Sequence, residues 1–538
     1  MEQKQSRFLI DRKSLPVFLL IMEVCIAVLL VSGTTGCESM YYAAGPFYCL
    51  LFPVSIFLYG GLFIARQQIE RRLKRRRFYN AIVFHRATVG LTLIPTLVLS
   101  LILGFNAQSI STTFFSQRYS YISILLLLPF LIFGSLLGPL LGLVSAMGLT
   151  SITFGILNFF GISTIVFGEI FSVLLRARGQ KIALLLRNKS LSAVYGGAGA
   201  ALGFSLAALL SFLAALAICL MVRKNLHDQL DPMALDHDEK LLPAALYYAR
   251  LLLKEAVFFA ILFVTMLVDV AIGGFDLTSL AGFYCVSLPL LLLCTILATV
   301  FFTRYPLLCQ RDFSLGKRKP LRRRFSVMME LSGYVSIPAS LFVFGAGKPI
   351  VQILHNGMNA DIRNAAVLTV KLGAPAIAFG SFLILMMLLV IGTFAEKFIL
   401  AAGAIAFVVQ TLVLYAGLGA FHEKVEALGL SLVFFGAAFG IALYVSVRNS
   451  ILRATDTSFV LGLVRILAAA ITACLPVIAL NDYMTDEVIP VGGTILLALI
   501  YWILFAVVSL WFRAPNLMHL KRVPGGTFVL WLADRMGL

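Results

Sequence analysis

Fourteen apolar segments alternate along the chain with short polar or basic segments, and each is long enough to cross a bilayer. A membrane-spanning helix needs about 20 apolar residues. The segments cover residues 16–32, 46–65, 85–105, 121–142, 150–175, 194–222, 256–274, 279–303, 327–347, 372–393, 398–419, 428–447, 458–480 and 491–512. The pattern therefore predicts an all-α, polytopic membrane protein with about 14 transmembrane helices.

Positive charge is concentrated in alternate connections. Residues 66–86 and 304–326 each contain eight Lys and Arg, whereas connections on the other side are poorer in positive charge and often acidic. Because Lys and Arg are enriched in cytoplasmic loops, the alternation predicts that both termini are cytoplasmic.

The basic stretch at residues 176–190 disagrees with this alternation, because the helix count places it outside. It contains Arg176, Arg178, Lys181, Arg187 and Lys189. One explanation is an outward extension with a function of its own. The other is an interfacial amphipathic helix whose cations reach lipid phosphates.

The chain also shows signs of internal duplication. At an offset of 243 positions, residues 317–319 align with residues 74–76, and Gly333 and Pro338 align with Gly90 and Pro95. Internal repeats underlie many transporter folds. We therefore expect two six-helix lobes, related as a parallel repeat, followed by two additional C-terminal helices.

Polar segments set the predicted boundaries of these parts. The acidic sequence HDQLDPMALDHDEKLLP is the natural linker between the lobes. The predicted parts are a cytoplasmic tail (1–15), an N-terminal lobe with helices 1–6 (16–222), a cytoplasmic linker and surface helix (223–255), a C-terminal lobe with helices 7–12 (256–457), helices 13–14 (458–512) and a cytoplasmic tail (513–538).

Composition supports the membrane assignment and limits the chemistry. A hydrophobic content of 60% with 13% charged residues lies outside the range of soluble proteins. The formal net charge of +18 is explained by topology and by contact with anionic lipids, so we expect no nucleic-acid partner. The eight cysteines have no CxxC spacing, no HxxxH pair is present, and neither a P-loop nor a GxSxG motif occurs. We therefore expect no metal site, no ATP hydrolysis and no cofactor.

Three carboxylates lie deep within predicted spans, namely Glu23, Glu169 and Asp269. Ionisable groups are costly in hydrocarbon and are often functional there. One interpretation is that they couple transport to Na⁺ or H⁺ from a cavity. The alternative is that they pair with an Arg of another helix or accept hydrogen bonds from Ser and Thr.

Three segments resemble one transporter superfamily. The run GKRKPLRRRFSVMMELSGYVSIPASLFVFGAGKPIVQILH resembles the ninth-helix region in the polysaccharide-export and lipid II flippase branch of the multidrug/oligosaccharidyl-lipid/polysaccharide exporter superfamily. FVTMLVDVAIGG, with Asp269, resembles its seventh helix, and GEIFSVLLR followed by AGAALGFSLAALLS resembles its fifth and sixth. The sporulation stage V protein B-like members are the most similar in pattern.

The resemblance implies a bacterial cytoplasmic-membrane flippase, not an enzyme, that exports an undecaprenyl-pyrophosphate-linked oligosaccharide or peptidoglycan precursor by alternating access. Its pyrophosphate would be bound by cavity arginines, since guanidinium groups form strong bidentate bonds to phosphate. The best-placed candidates are Arg12, Arg66 and Arg304, which otherwise serve as topology anchors. We expect a monomer whose partners are the lipid-linked sugar and anionic lipids.

The sequence departs from the superfamily at its eleventh predicted helix. Some flippases complete a sodium site there with Asn and Asp, but this helix offers only Gln410 and Thr411. Two rival functions therefore stay open. One is a cation-coupled drug antiporter of the same fold. The other is a polytopic acyl- or glycosyltransferase, for which His355 with Asp361 is the only indication.

Overall fold

The structure is a computed structural model, and it describes residues 15–113, 115, 117–228, 240–273, 275–355, 358–391, 397–421, 423–452, 458–487, 490–514, 520 and 525–535. Within these residues the chain is almost entirely helical and has no strand. The predicted all-α fold of a polytopic membrane protein is confirmed. The chain divides into two compact units, Leu19–Ala271 and Ile272–Leu538, and the latter also includes the first residues up to Phe18.

The first unit is built from nine helices in the described part of the chain. They are α1 (Leu15–Thr35), α2 (Cys37–Tyr59), α3 (Arg66–Lys74), α4 (Phe78–Phe105), α5 (Ala107–Thr113), α6 (Ser120–Ala146), α7 (Thr150–Leu185), α8 (Ser190–Asp228) and α9 (Leu241–Gly273). A π-helical segment, Gly60–Ala65, joins α2 to α3.

The second unit continues the same numbering. Its helices are α10 (Leu277–Gly282), α11 (Leu288–Val300), α12 (Arg304–Ser314), α13 (Arg318–Gly345), α14 (Gly347–Leu354), α15 (Ala360–Gly373), α16 (Pro375–Ile391), α17 (Lys397–Ala420), α18 (Lys424–Val447), α19 (Ser458–Glu487), α20 (Pro490–Trp511) and α21 (Gly526–Arg535). Two further π-helical segments, Phe283–Ser287 and Arg448–Leu452, join α10 to α11 and follow α18.

Twelve helices among the described residues are long and apolar enough to cross a membrane, and a thirteenth is obtained if α15 and α16 form one span. These two helices meet at an angle of 52°, because Pro375 cannot continue the hydrogen bonding of α15. The remaining predicted span, 256–274, lies largely in α9, where several side chains are outside the described residues. The protein is therefore a multi-pass membrane protein.

Aromatic side chains form the buried centre of each unit. In the first unit, Phe47 packs against Phe130 and Phe204 with ring centroids 5.3 Å and 4.8 Å apart. In the second unit, the buried Tyr501 donates a hydrogen bond of 2.8 Å to the carbonyl oxygen of Pro338. A hydroxyl at this depth needs such an acceptor, because hydrocarbon offers none.

The longest element of the first unit is the antiparallel pair of α7 and α8. These helices contain 36 and 39 residues, so each is about 54–59 Å long, compared with about 30 Å for a hydrocarbon core. They approach so closely that a Cβ atom on Gly199 or Gly203 would overlap with the backbone of α7. Small residues permit this approach of two helices in membranes.

The basic stretch that disagreed with the charge pattern is a direct continuation of α7. Residues 176–185 remain helical, and Arg176 donates a hydrogen bond of 3.3 Å to the carbonyl oxygen of Thr34, at the end of α1. Beyond this contact, Leu184 and Leu185 are more than four-fifths exposed. Residues 176–185 thus extend α7 and do not form a separate helix. The side of the membrane on which they lie and their function stay predictions.

The two units repeat the same order of elements at an offset of 240 positions. Both ends of α4 and α13 are separated by this offset, and so are the starts of α5 and α14. The sequence alignment at 243 therefore differs by three positions. The sequence alignment paired Pro95 with Pro338, but in the structure their positions within α4 and α13 differ by almost one helical turn. Proline is tolerated on several turns of a span, so it does not fix the register. The domain boundaries predicted above stay predictions.

Candidate functional site

The carboxyl group of Glu23 on α1 packs directly against the backbone of α7 at Gly161. A Cβ atom on Gly161 would overlap with Glu23 Oε2, so a larger side chain here would displace the carboxyl group. This oxygen is shielded from solvent and has no hydrogen-bond partner among the described residues. A shielded carboxylate oxygen without a donor is unfavourable in a low-dielectric environment. A proton or small cation would remove that cost.

A second unpartnered oxygen lies one helical turn from Gly161. Asn158 precedes Gly161 by three positions on α7, and residues at this spacing are neighbours on a helix surface. Asn158 Oδ1 is buried and has no hydrogen-bond partner in the described part of the chain. An amide oxygen and a carboxylate are both ligands that hard cations accept. Helix α7 thus carries an unpartnered oxygen one turn from the residue that Glu23 contacts.

Glu169 lies about two turns further along α7. Its Oε2 atom is also buried and without a hydrogen-bond partner among the described residues. Helix α7 therefore places two of its unpartnered oxygens, those of Asn158 and Glu169, within one membrane span. The sequence singled out Glu23 and Glu169 because they are charged, but it missed Asn158. The signal was present, since Asn158 is the single amide side chain within residues 150–175.

Asp269 differs from these two glutamates. It lies on α9, is 7% exposed and already has a polar or electrostatic partner. This environment agrees with the alternative in which the carboxylate serves helix pairing. Its role in ion coupling stays a prediction.

The three arginines expected to bind pyrophosphate are placed as follows. Arg66 and Arg304 are half-buried, and each is the first residue of a short helix, α3 or α12, in its own unit. Arg12 lies outside the described residues. Their shared role stays a prediction.

The pair suggested for a membrane transferase has unequal environments. His355, at the end of α14, is 3% exposed, and burial lowers its pKa to about 4. Asp361 is exposed. A neutral, buried imidazole is not poised to exchange protons with an aqueous substrate near neutral pH. In addition, the described residues contain no group of three or more His, Cys, Asp or Glu placed to bind a metal.

Comparison with solved structures gives clear similarity of fold at low sequence identity. A lipid II flippase, MurJ, in an inward closed conformation superposes with a TM-score of 0.67 at 14% identity, over 93% of this chain and 98% of that chain. An inward-facing multidrug-resistance MATE transporter of the MOP superfamily gives 0.64 at 14% identity, over 83% and 99%. A MOP superfamily transporter from Pyrococcus furiosus gives 0.52 at 13%, over 82% and 96%.

No family model and no curated protein matches the sequence. The similarity is therefore one of architecture, and it extends over both units of the chain. All three neighbours are transporters by their descriptions, which agrees with the superfamily suggested by the sequence segments. The protein has the fold of the multidrug/oligosaccharidyl-lipid/polysaccharide exporter superfamily.

Proposed function

We propose that this protein is a flippase that moves an undecaprenyl-pyrophosphate-linked oligosaccharide or peptidoglycan precursor to the outer leaflet of a bacterial cytoplasmic membrane. The observation that carries the proposal is the extent of the similarity to the lipid II flippase. It covers 93% of this chain, against 83% for the multidrug transporter. The larger coverage is expected if this chain and the flippase both have helices in addition to a core of twelve.

The α1–α7 contact supplies a means of coupling transport to an ion. With Glu23 ionised, its shielded Oε2 atom at the contact between α1 and α7 carries negative charge without a hydrogen-bond donor among the described residues. Binding a proton or Na⁺ near Glu23 and Asn158 neutralises this charge and stabilises the packing of the two helices. A conformational change that alters this packing is then linked to ion binding, because each biases the same equilibrium.

The test uses purified protein in proteoliposomes that contain a fluorescent undecaprenyl-pyrophosphate glycolipid. The readout is the fraction of labelled lipid accessible to a membrane-impermeant quencher, with and without an imposed proton or sodium gradient. The protein should accelerate exposure of the glycolipid, and one of the gradients should increase the rate. Protein-free vesicles that expose the lipid at the same rate would refute the flippase function.

Replacement of Glu23 by Gln tests the coupling site separately. The amide keeps the shape of the side chain but cannot bind a proton or balance a cation. We expect at least a tenfold loss of the gradient-dependent rate. Glu38→Gln is the matched control, because Glu38 is an exposed carboxylate at the start of α2. Equal rates for both variants would exclude Glu23 as the coupling residue while leaving the flippase activity to be judged by the wild-type assay.

A second candidate is a cation-coupled drug antiporter. It is favoured by the oxygen donors at Glu23 and Asn158, together with the TM-score of 0.64 to a multidrug transporter. The same vesicles distinguish the two functions when they are loaded with a fluorescent organic cation. Gradient-driven movement of the dye, without exposure of the glycolipid, would establish the antiporter instead.

A further inference from the structure

The turn between α3 and α4 gathers four arginines on a compact stretch of backbone. Helix α3 ends with the amide of Arg77 bonded to the carbonyl of Arg72 at 3.0 Å and the amide of Arg76 bonded to that of Leu73 at 2.9 Å. Arg76 has a φ of 56°. These are the bonds and the left-handed residue of a Schellman helix end. The turn reverses the chain and brings Arg77 back beside Arg71, Arg72 and Arg75.

These four arginines surround a cavity of about 500 Å³ in the first unit. The wall is completed by Gln68, Asn80 and, from α9, Tyr247. Among the described residues, the wall contains four cationic groups and no carboxylate. The nearby Glu70 is already paired with Lys74 at 2.8 Å. The positive charge of the cavity is therefore not balanced by its own wall.

Arg72 is held in place inside this group. Its guanidinium lies 4.2 Å from the ring centroid of Phe84, and its Nη1 donates a hydrogen bond of 3.1 Å to the carbonyl oxygen of Gln68. Phe84 is fully buried and packs edge-on against Tyr248. A guanidinium ordered in this way loses little further entropy when it binds an anion.

Asn80 provides an independent sign of a ligand. Its side chain is 4% exposed, it lines the cavity, and its Oδ1 has no hydrogen-bond partner among the described residues. A buried amide without a partner is unfavourable. The oxygen and nitrogen of the amide can exchange places by rotation, so this side chain can offer two N–H donors to an anion in the cavity.

We propose that this cavity binds a phosphate-bearing anion, either a phosphomonoester or a diphosphate. Planar guanidinium groups bind phosphate oxygens in pairs, and several of them around one cavity match the charge and shape of such a group. The ligand is the head group of a lipid or a soluble phosphate compound. This site is distinct from Arg66 and Arg304, and its existence does not depend on the proposed transport function.

Two binding measurements on the full-length protein distinguish the sources. The first is calorimetric titration of detergent-purified protein with inorganic pyrophosphate. The second is native mass spectrometry after extraction from nanodiscs of phosphatidic acid, a phosphomonoester lipid, mixed with phosphatidylcholine. The test variant is Arg71→Gln with Arg75→Gln, since both side chains are exposed and we expect their replacement to preserve the fold. The control is Lys319→Gln with Arg323→Gln, which removes two exposed cations from the second unit.

We expect the test variant to bind at least tenfold more weakly and the control to bind like wild type, because each charge-assisted hydrogen bond to phosphate is strong. Loss in the pyrophosphate titration identifies a site open to soluble phosphates. Loss confined to retained phosphatidic acid identifies a lipid head-group site. Arg72→Lys should also weaken binding although the charge is kept. Unchanged binding of the test variant in both measurements, or an equal loss in the control, overturns the proposal.

Discussion

The two units contain the same basic turn but use its charges differently. In the first unit, Arg72 stacks on Phe84. In the second unit, the positions that correspond to Arg72 and Phe84, 240 residues later, are Asp312 and Arg324. These two side chains form an ion pair at 2.7 Å. The backbone bonds that close the turn are also the same, since the amide of Lys317 bonds to the carbonyl of Asp312 at 2.9 Å. One backbone arrangement thus supports a cation–π contact in one unit and an ion pair in the other.

The difference shows that side chains, and not the shape of the turn, decide whether its charge is available to a ligand. In the second unit, Arg324 is neutralised by the buried Asp312, and Arg322 Nε donates a hydrogen bond of 3.0 Å to the carbonyl oxygen of Leu452. These cations hold the turn against the rest of the unit. In the first unit, Arg71, Arg75 and Arg77 face a cavity whose wall, in the part of the chain that the structure describes, has no carboxylate.

The largest effect is expected from breaking the ion pair. Asp312→Asn leaves Arg324 without its counter-ion. Because the Arg324 side chain is 40% exposed, the loss should lower the free energy of unfolding by about 2.5 kcal/mol, less than for a fully buried pair. Arg72→Gln, at the corresponding position, should cost about 1 kcal/mol, because it removes a cation–π contact. Thermal unfolding of both variants in detergent measures the difference. Equal losses would show that the two turns are energetically equivalent.

A smaller effect is expected from acidification, and it should arise in the second unit. His355 is buried with its pKa lowered to about 4 from 6.5, whereas the residue 240 positions earlier is Phe115. Because the unfolded chain binds the proton more readily, stability is fully present above pH 6.5 and is lost as the pH falls towards 4. The loss between pH 7 and pH 5 should be about 2 kcal/mol.

His355→Phe provides the control for this pH dependence. The variant resembles the first unit at this position and has no group to titrate. Its unfolding temperature should therefore change less between pH 7 and pH 5 than that of the wild type. An identical pH dependence in the two proteins would contradict the assignment to His355.

The smallest effect concerns the left-handed residue of each turn. It is Arg76 in the first unit, with a φ of 56°, and Gly316 in the second, with a φ of 68°. Gly316→Arg should destabilise the protein by about 1 kcal/mol, since a side chain disfavours this conformation. Arg76→Gly should instead stabilise the protein by a similar amount, because glycine adopts this conformation without strain. Chemical denaturation measures both changes, and a stabilising Gly316→Arg would contradict the reasoning.

Much of the architecture followed from the spacing of apolar residues, because hydrocarbon thickness dictates the length of a span. The same reasoning could not give the register of the repeat, since Pro95 and Pro338 lie on different turns of their helices. The extension of α7 past residue 175 was left open, because polar residues such as Arg176 are compatible with either a continuous or a separate helix.

The candidate site was predictable only in part. Glu23 was evident from the sequence, as a charge within an apolar segment is unusual. Its neighbour Gly161 is 138 positions away, and nothing in the local pattern of either segment indicates the contact. The basic residues among 71–77 were assigned to topology and to contact with anionic lipids. Their convergence on Asn80 and Tyr247 depends on a left-handed turn and on the placement of α9.

The extended pair of α7 and α8 has a practical consequence for imaging. Both helices continue without interruption to a connection of four residues, 186–189. A small rigid domain fused there, with helices that continue α7 and α8 in phase, would take its orientation from the pair. A protein otherwise enclosed by a detergent micelle would then present an asymmetric marker by which single particles can be aligned in electron microscopy.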